Sequence, residues 1–288
     1  VVLQKEWLRN PSELSALENR LRVQCTNEQS LLGMWEIPVI DTSGFYHGSL
    51  RLRDIPQGKK NRDDSSYGAA SLASTPQILV VGGSGFIGSV LVEMLLKSGY
   101  RVKVLDNGLY GQRPDEQLSS YEYFTYIEGD VCDLHVQVNA VKDVDAVVFL
   151  AEIVGDPSCA YSPERALKTN YLAVSSMAIL CSHLNINRFI YTSSCSVYGA
   201  SSNPDTLLDE NAQQNPVSLY ARMKAQTEDI LLRQSNPLFS PTILRLATVF
   251  GVSPRPRLDL LVNDFTFRAI EERKLILYES HFKRNYIH

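Results

Sequence analysis

The chain has 288 residues with 28 basic and 32 acidic side chains, a formal net charge of −4. Without a long basic run, that balance excludes a surface built for nucleic acid or for an anionic membrane, while a small anion needs only a local basic pocket. An apolar share of 44% predicts a soluble globular protein of one large or two modest domains, and five cysteines at 25, 132, 159, 181 and 195 without a Cys-x-x-Cys pair fit a reducing, cytoplasmic setting better than a disulfide framework.

In chain order, Asn10, Pro11 and Glu13 read as a helix start, with an N-cap, a proline at the first helical position and an acid in the first turn. Leu14, Leu17 and Leu21 then form one apolar stripe. Residues 33–58 carry scattered glycines and prolines with short apolar pieces such as Met34 to Ile40, and residues 59–76 read as a linker. Residues 1–76 are therefore expected to be an N-terminal appendage and linker, and their nine basic and nine acidic side chains do not make a basic arm. From Gln77 onward, strands are expected near 78–82, 102–105, 123–127, 145–150, 188–193 and 242–246, with helical stretches such as 163–184 and 217–233. This alternation predicts an α/β fold, a doubly wound parallel sheet of Rossmann type. The apolar stretch Ile78 to Leu96 approaches membrane-spanning length, but four glycines and Glu93 make it a strand, a turn and a helix, so neither a transmembrane segment nor a signal peptide is expected.

Directly after the first of these strands stands Gly82-Gly83-Ser84-Gly85-Phe86-Ile87-Gly88. Glycines at 83, 85 and 88 allow a tight strand-to-helix turn and close approach of the backbone to a pyrophosphate, and Ile87, Val90, Leu91, Met94 and Leu95 follow at helical spacing. A phosphate would then sit on a helix N-terminus. Asp106 ends the second strand 18 residues after Gly88, near the offset at which an acid meets the adenosine ribose, and favours NAD because a carboxylate repels a 2′-phosphate. The competing reading is a turn aspartate before Asn107-Gly108; Arg113 keeps NADP open. Tyr220 and Lys224 stand four apart in a helical stretch and share one face. A phenol must lose about three pKa units, about 4 kcal/mol, to act as a base near neutrality. A lysine about 4 Å away supplies a similar energy at an effective dielectric of about 20, so Lys224, aided by the positive nicotinamide ring of a bound cofactor, is expected to lower the Tyr220 pKa. The competing reading is a surface pair. Hydroxyls of Ser193, Ser194 and Ser196 at the end of a strand are candidates to hydrogen-bond a sugar hydroxyl or ketone, and spacing does not choose among them.

With these elements in place, residues 77–288 resemble the extended short-chain dehydrogenase/reductase family, in its NAD-dependent nucleotide-sugar epimerase and dehydratase branch. The resemblance rests on Gly-Gly-Ser-Gly-Phe-Ile-Gly, Asp106-Asn107, Gly129-Asp130-Val131, Asn170, Ser-Ser-Cys-Ser-Val-Tyr-Gly, Tyr220-x-x-x-Lys224 and Arg284-Asn285-Tyr286-Ile287-His288. It implies an NAD-binding domain over 77–250 and the start of a substrate-binding region over 251–288. Gly82, Gly85 and Gly88, with Phe86 and Ile87, match the family's glycine-rich loop; Asp106 and Asn107 its ribose contacts; Asp130 and Val131 its adenine side; and Leu150, Ala151 and Asn170 further cofactor contacts. Ser194 matches the catalytic serine or threonine, Tyr220 the base, Lys224 the lysine that binds the nicotinamide ribose, and Arg284 an arginine that grips the nucleotide diphosphate. No metal is implied.

Departures narrow the expected reaction. Cys195-Ser196 stands where the dehydratases carry Asp-Glu, which disfavours a 4,6-dehydratase, and Ser196 also counts against the decarboxylases. Glu152 replaces the second alanine of Leu-Ala-Ala, placing a carboxylate near the nicotinamide region as a substrate contact or a disturbance of cofactor binding. Thr248 replaces an asparagine of the 4-epimerases that contacts the diphosphate. The family continues beyond the segment ending at His288, so the chain is expected to be a fragment or to need a partner for the rest of its substrate domain. The resemblance implies an NAD-dependent nucleotide-sugar epimerase, at C4, with a nucleotide sugar as substrate, and the helices on the faces of the expected sheet make a homodimer a candidate assembly. The rivals are a 4-ketoreductase-type nucleotide-sugar oxidoreductase and a non-catalytic cofactor-binding module.

Overall fold

The protein was analysed as a computed structural model, which describes residues 3–4, 36–40, 46–51, 75–111, 116–200, 207–278, 280 and 283–288. The helix expected after Asn10, the linker up to residue 74 and Arg113 lie outside the described residues. The chain divides into two compact units, Val1–Gly68 and Ala69–His288. In the first, β1 (Leu3–Gln4) runs parallel to β2 (Glu36–Ile40), which pairs antiparallel with β3 (Tyr46–Arg51). Pro38 lies outside the Val39 and Ile40 pairing with β1, so its missing N–H need not serve two ladders.

In the second unit six strands form one parallel sheet: β4 (Gln77–Val81), β5 (Arg101–Asp106), β6 (Phe124–Glu128), β7 (Ala146–Phe149), β8 (Arg188–Ser194) and β9 (Ser240–Leu246). Their order is β6-β5-β4-β7-β8-β9, so the chain reverses direction across the sheet between β4 and β7. Ligands of such sheets bind outside the carboxyl ends of the strands at this point. All five residues of β4 are buried, as expected for a central parallel strand covered on both faces. Leu79, Val81, Val147, Phe149 and Phe189 form a core with Val174, Met177, Ala178 and Cys181, within which Phe189 lies 6.2 Å from Phe149 and 5.8 Å from Phe239, ring centre to ring centre.

The first helices are α1 (Phe86–Lys97), α2 (Glu116–Ser119), α3 (Leu134–Ala140) and α4 (Asp156–Tyr161). The helix expected over 163–184 is interrupted: α5 (Pro163–Leu167) leads into a π-helical turn, Lys168–Leu172, before α6 (Ala173–His183). A π turn inserts a residue into the helical repeat, and Asn170 within it is buried. Next come α7 (Leu219–Gln234) and α8 (Leu261–Glu271). Two short strands, β10 (Thr248–Val249) and β11 (Tyr286–Ile287), pair in parallel. Among the described residues no helix is long and apolar enough to cross a membrane.

Ser218 caps α7 by accepting a hydrogen bond from the Ala221 amide, which sets where the helix starts. Tyr220, Lys224 and Glu228 then fall at i, i+4 and i+8 on one face. Glu228, 2% exposed in its side chain, accepts from Ser193 Oγ on β8, from Gln214 Nε2 at 2.9 Å and from Arg245 of β9, Nη2 to Oε2 at 2.7 Å. Arg245 also donates to Tyr198 Oη at 2.9 Å. This network ties α7 to the carboxyl ends of two strands. Replacing Arg245 with methionine strands the Glu228 carboxylate, and loss of one partner of a buried ion pair costs about 3–5 kcal/mol. Urea unfolding of R245M is expected to shift to correspondingly lower denaturant, with part of the loss recovered when Glu228→Gln is added.

Candidate active site and dinucleotide cleft

The turn after β4 is shaped by contacts that exclude side chains. Gly82 adopts φ +84° and its missing Cβ would lie 2.6 Å from the Ala151 amide nitrogen; a Cβ on Gly88 would lie 2.2 Å from the Gly82 carbonyl oxygen. The chain at 82 therefore presses on the segment leaving β7, and α1 begins directly above it. Among the described residues no side chain caps α1, so its first amides face a cleft of about 810 Å³ lined by Gly82, Ser84 to Gly88, Asp106, Asn107, Asp130, Val131, Leu150, Ala151, Glu152, Ser194, Tyr220 and Lys224.

Asp106 holds the turn in place: Oδ2 accepts from the Ser84 amide at 3.0 Å and Oδ1 from the Gly108 amide at 2.9 Å. The turn reading of this residue is met, because it closes its own turn, and the same side chain lines the cleft in which the expected ribose contact would be made. Asn107 and Asp130 likewise accept from amides two residues on, Leu109 and Cys132. Among the described residues Ser84 Oγ, buried at the turn, has no hydrogen-bond partner. An orphaned hydroxyl, an uncapped helix start and a carboxylate at the end of the second strand are what a dinucleotide would satisfy, so the residues present fit one.

Asn170 stands elsewhere. Its Oδ1 accepts from the Ile153 amide and its Nδ2 donates to the Ile153 carbonyl, each at 2.8 Å, so it braces the loop after β7 behind the cleft wall. Arg284 is exposed and does not line the cleft. Pairing of Thr248 with Tyr286 brings the segment beside Cys195, whose Sγ donates to Asn285 Oδ1 at 3.6 Å. The arginines that do line the cleft are Arg165, Arg255 and Arg257, none of which drew an assignment from the sequence. Ser253 Oγ donates to the Phe86 carbonyl at 2.7 Å, and the Arg255 guanidinium lies 3.6 Å from the centre of the Tyr110 ring. The only local signal was the run Ser253-Pro254-Arg255-Pro256-Arg257.

At the other end of the cleft the face of α7 meets three successive residues of β8. Tyr220 faces Ser194, Lys224 donates to the Thr192 carbonyl and Ser193 Oγ donates to Glu228. Ser193 is thereby committed to packing, whereas Ser194 faces the cleft and also donates to Ser196 Oγ at 3.0 Å. The ammonium of Lys224 lies 5.6 Å from the centre of the Tyr220 ring.

The electrostatics differ from the sequence expectation. Lys224 is ion-paired with Glu152, and Tyr191 Oη donates to the other carboxylate oxygen at 3.0 Å. Burial pushes the Glu152 carboxyl up and the Lys224 ammonium down, with the ion pair opposing both. Burial and then the Glu152 charge push the Tyr220 phenol well above its ordinary value, the Ser194 hydrogen bond opposing. Lys224, aided by a positive nicotinamide ring, was expected to depress the tyrosine; Glu152 offsets the contribution of the lysine.

Residues 78–288 match the family described as NAD dependent epimerase/dehydratase. The chain is 30% identical over 210 residues to Protein CapI of Staphylococcus aureus, covering 70% of this chain and 62% of that protein. It is 30% identical over 227 residues to dTDP-glucose 4,6-dehydratase of Streptomyces niveus, covering 74% and 65%. The solved UDP-glucuronic acid 4-epimerase from Bacillus cereus, in complex with UDP-glucuronic acid and NAD, superimposes with a TM-score of 0.60 at 28% identity, over 68% of this chain and 63% of that one. The chain thus spans less than two thirds of the length of these curated relatives. A match over residues 78–288 takes in the glycine turn, the Tyr220–Lys224 pair and the β10–β11 segment together, and by it the chain belongs to the NAD-dependent epimerase/dehydratase family.

Proposed function

We propose that the chain carries the NAD-binding and proton-moving part of a nucleotide-sugar epimerase acting at C4. The observation that carries this reading is the convergence of Ser194, Tyr220 and Lys224 at one end of a cleft whose other end holds the uncapped α1 and Asp106. NAD, when bound, supplies the chemistry of accepting a hydride from the sugar carbon and returning it. Tyr220 takes the proton of the sugar hydroxyl and later gives it back, Ser194 holds the reacting oxygen and relays that proton, and Lys224 keeps the ribose end of the cofactor in register. Arg255 and Arg257 on the cleft wall, with Arg284 beyond it, meet the phosphates. Solved 4-epimerases among the structural neighbours support the reading, including a UDP-N-acetylglucosamine 4-epimerase from Methanobrevibacter ruminantium. Elimination of water finds less support: Ser196 is bonded to Ser194 and the Cys195 thiol to Asn285, so the acid pair used for dehydration has no counterpart at these two positions.

The test is incubation of the protein with UDP-hexoses and UDP-hexuronic acids, following the C4 configuration by NMR and the nicotinamide absorbance in parallel. Inversion at C4 without net NADH is expected; stoichiometric NADH with release of an oxidised sugar would instead make the protein an oxidoreductase. Tyr220→Phe should lower turnover by about 10²–10⁴-fold, the range for loss of a general acid–base group, while bound NAD is retained. An unchanged rate in that variant would leave only a cofactor-binding module. Gly88→Ala places a methyl group against the Gly82 carbonyl and should sharply reduce the NAD content of purified protein, measured by mass spectrometry after denaturation.

A further inference from the structure

Glu152 takes no part in the chemistry outlined above, yet it is the residue most tightly bound to it. Its side chain is 4% exposed and that of Lys224 2%, so opposite charges meet out of water at the base of the Tyr220–Lys224 pair. Two of the three N–H bonds of the ammonium are directed to the Glu152 carboxylate and the Thr192 carbonyl. The second oxygen of Glu152 is held by Tyr191, and the next residue, Ile153, is pinned through its amide and carbonyl by Asn170. The carboxylate is therefore fixed from β8, from α7 and through its own loop.

We propose that Glu152 is a positioning residue that fixes the Lys224 ammonium and cancels its charge toward Tyr220, so that Tyr220 ionises only when the positive charge of an oxidised nicotinamide ring enters the cleft. The inference rests on reading Tyr220 and Lys224 as the proton-moving pair. Among the described residues, the other titratable groups that act on the pair leave no competing net charge. Burial, Glu152 and Asp156 push the Cys159 thiol of α4 up to about 11, and burial holds the Tyr191 phenol of β8 far above its ordinary value, so both are neutral. Glu228, one turn along α7, is paired with Arg245, and Arg257, which faces Tyr220, with Asp259. Glu152 is thus the charge whose removal leaves the ammonium unbalanced. With an oxidised cofactor the phenol loses its proton to solvent and becomes the acceptor for a sugar hydroxyl; with a reduced one it stays protonated, as the donor to a ketone.

The experiment is a spectrophotometric titration of tyrosinate absorbance, each protein referred to its own Tyr220→Phe counterpart so that one phenol is read. Wild type and Glu152→Gln are compared, each loaded with NAD or with NADH. Glutamine keeps one acceptor oxygen for Lys224, can turn its amide N–H to the Tyr191 hydroxyl oxygen and removes the negative charge, which favours phenolate, so the midpoint must fall. For the wild type with NADH the midpoint should lie above the ordinary tyrosine value of about 10 and drop when NAD replaces NADH. In E152Q with NADH it should already be lower by about one to three pH units, the range for an opposite charge at contact distance. Equal midpoints for the two NADH-loaded proteins overturn the proposal. If E152Q does not fold, the wild type alone decides, since a midpoint at or below about 10 with NADH bound has the same effect. No substrate is present, so failure of the epimerase reading leaves this outcome legible.

Discussion

The contact between Gly82 and Ala151 is the constraint on which the remainder of the second unit depends. With 2.6 Å between an added Cβ and the Ala151 nitrogen, the turn after β4 and the segment leaving β7 touch backbone to backbone at the point where the sheet reverses its strand order. This contact sets the floor of the cleft. It lets α1 begin at the turn with its amides exposed, and it fixes the direction from which Leu150, Ala151 and Glu152 leave the sheet. The ion pair of Glu152 with Lys224 follows from that direction and from the cap at Ser218 that sets the start of α7.

Two buried carboxylates divide the work at the inner face of α7. Glu228 joins α7, β8 and β9 through Ser193 and Arg245 and has no contact with the cleft. Glu152 lines the cleft and touches Lys224 directly. Burying an ionised carboxylate is costly unless it is paired and hydrogen-bonded, and both conditions are met at each. The difference lies in the partner: Arg245 keeps its charge under any ordinary condition, whereas Lys224 shares its charge with a neighbouring phenol.

Much of this was legible in the sequence because it is local. A strand-turn-helix with glycines at fixed offsets, six apolar runs spaced for a parallel sheet, and a tyrosine and a lysine one helical turn apart each lie within a few residues of chain, and the observed elements sit close to the expected positions. What stayed illegible depends on residues distant in sequence. Ser193 is set apart from Ser194 by Glu228, 35 residues away. Lys224 is neutralised from Glu152, on another strand's loop. Arg255 reaches the cleft because Ser253 bonds to Phe86 across 167 positions. The π turn at Lys168–Leu172 escaped because apolar periodicity over 163–184 is insensitive to one inserted residue, although that residue's turn is what points Asn170 at Ile153. Spacing reports which face a side chain occupies; it carries no information on what arrives opposite.

The matching of Tyr220, Lys224 and Glu228 to Ser194, Thr192 and Ser193 behaves as a register lock. A single insertion or deletion near the start of α7 would rotate everything after it by about 100°, and all three contacts would be lost together. Drift along α7 is therefore confined to its outer faces, and a lineage carrying this scaffold can acquire new chemistry only from segments outside the lock. Cys195 and Ser196 just beyond β8, the arginine segment after Gly251 and the loop bearing Glu152 are such segments.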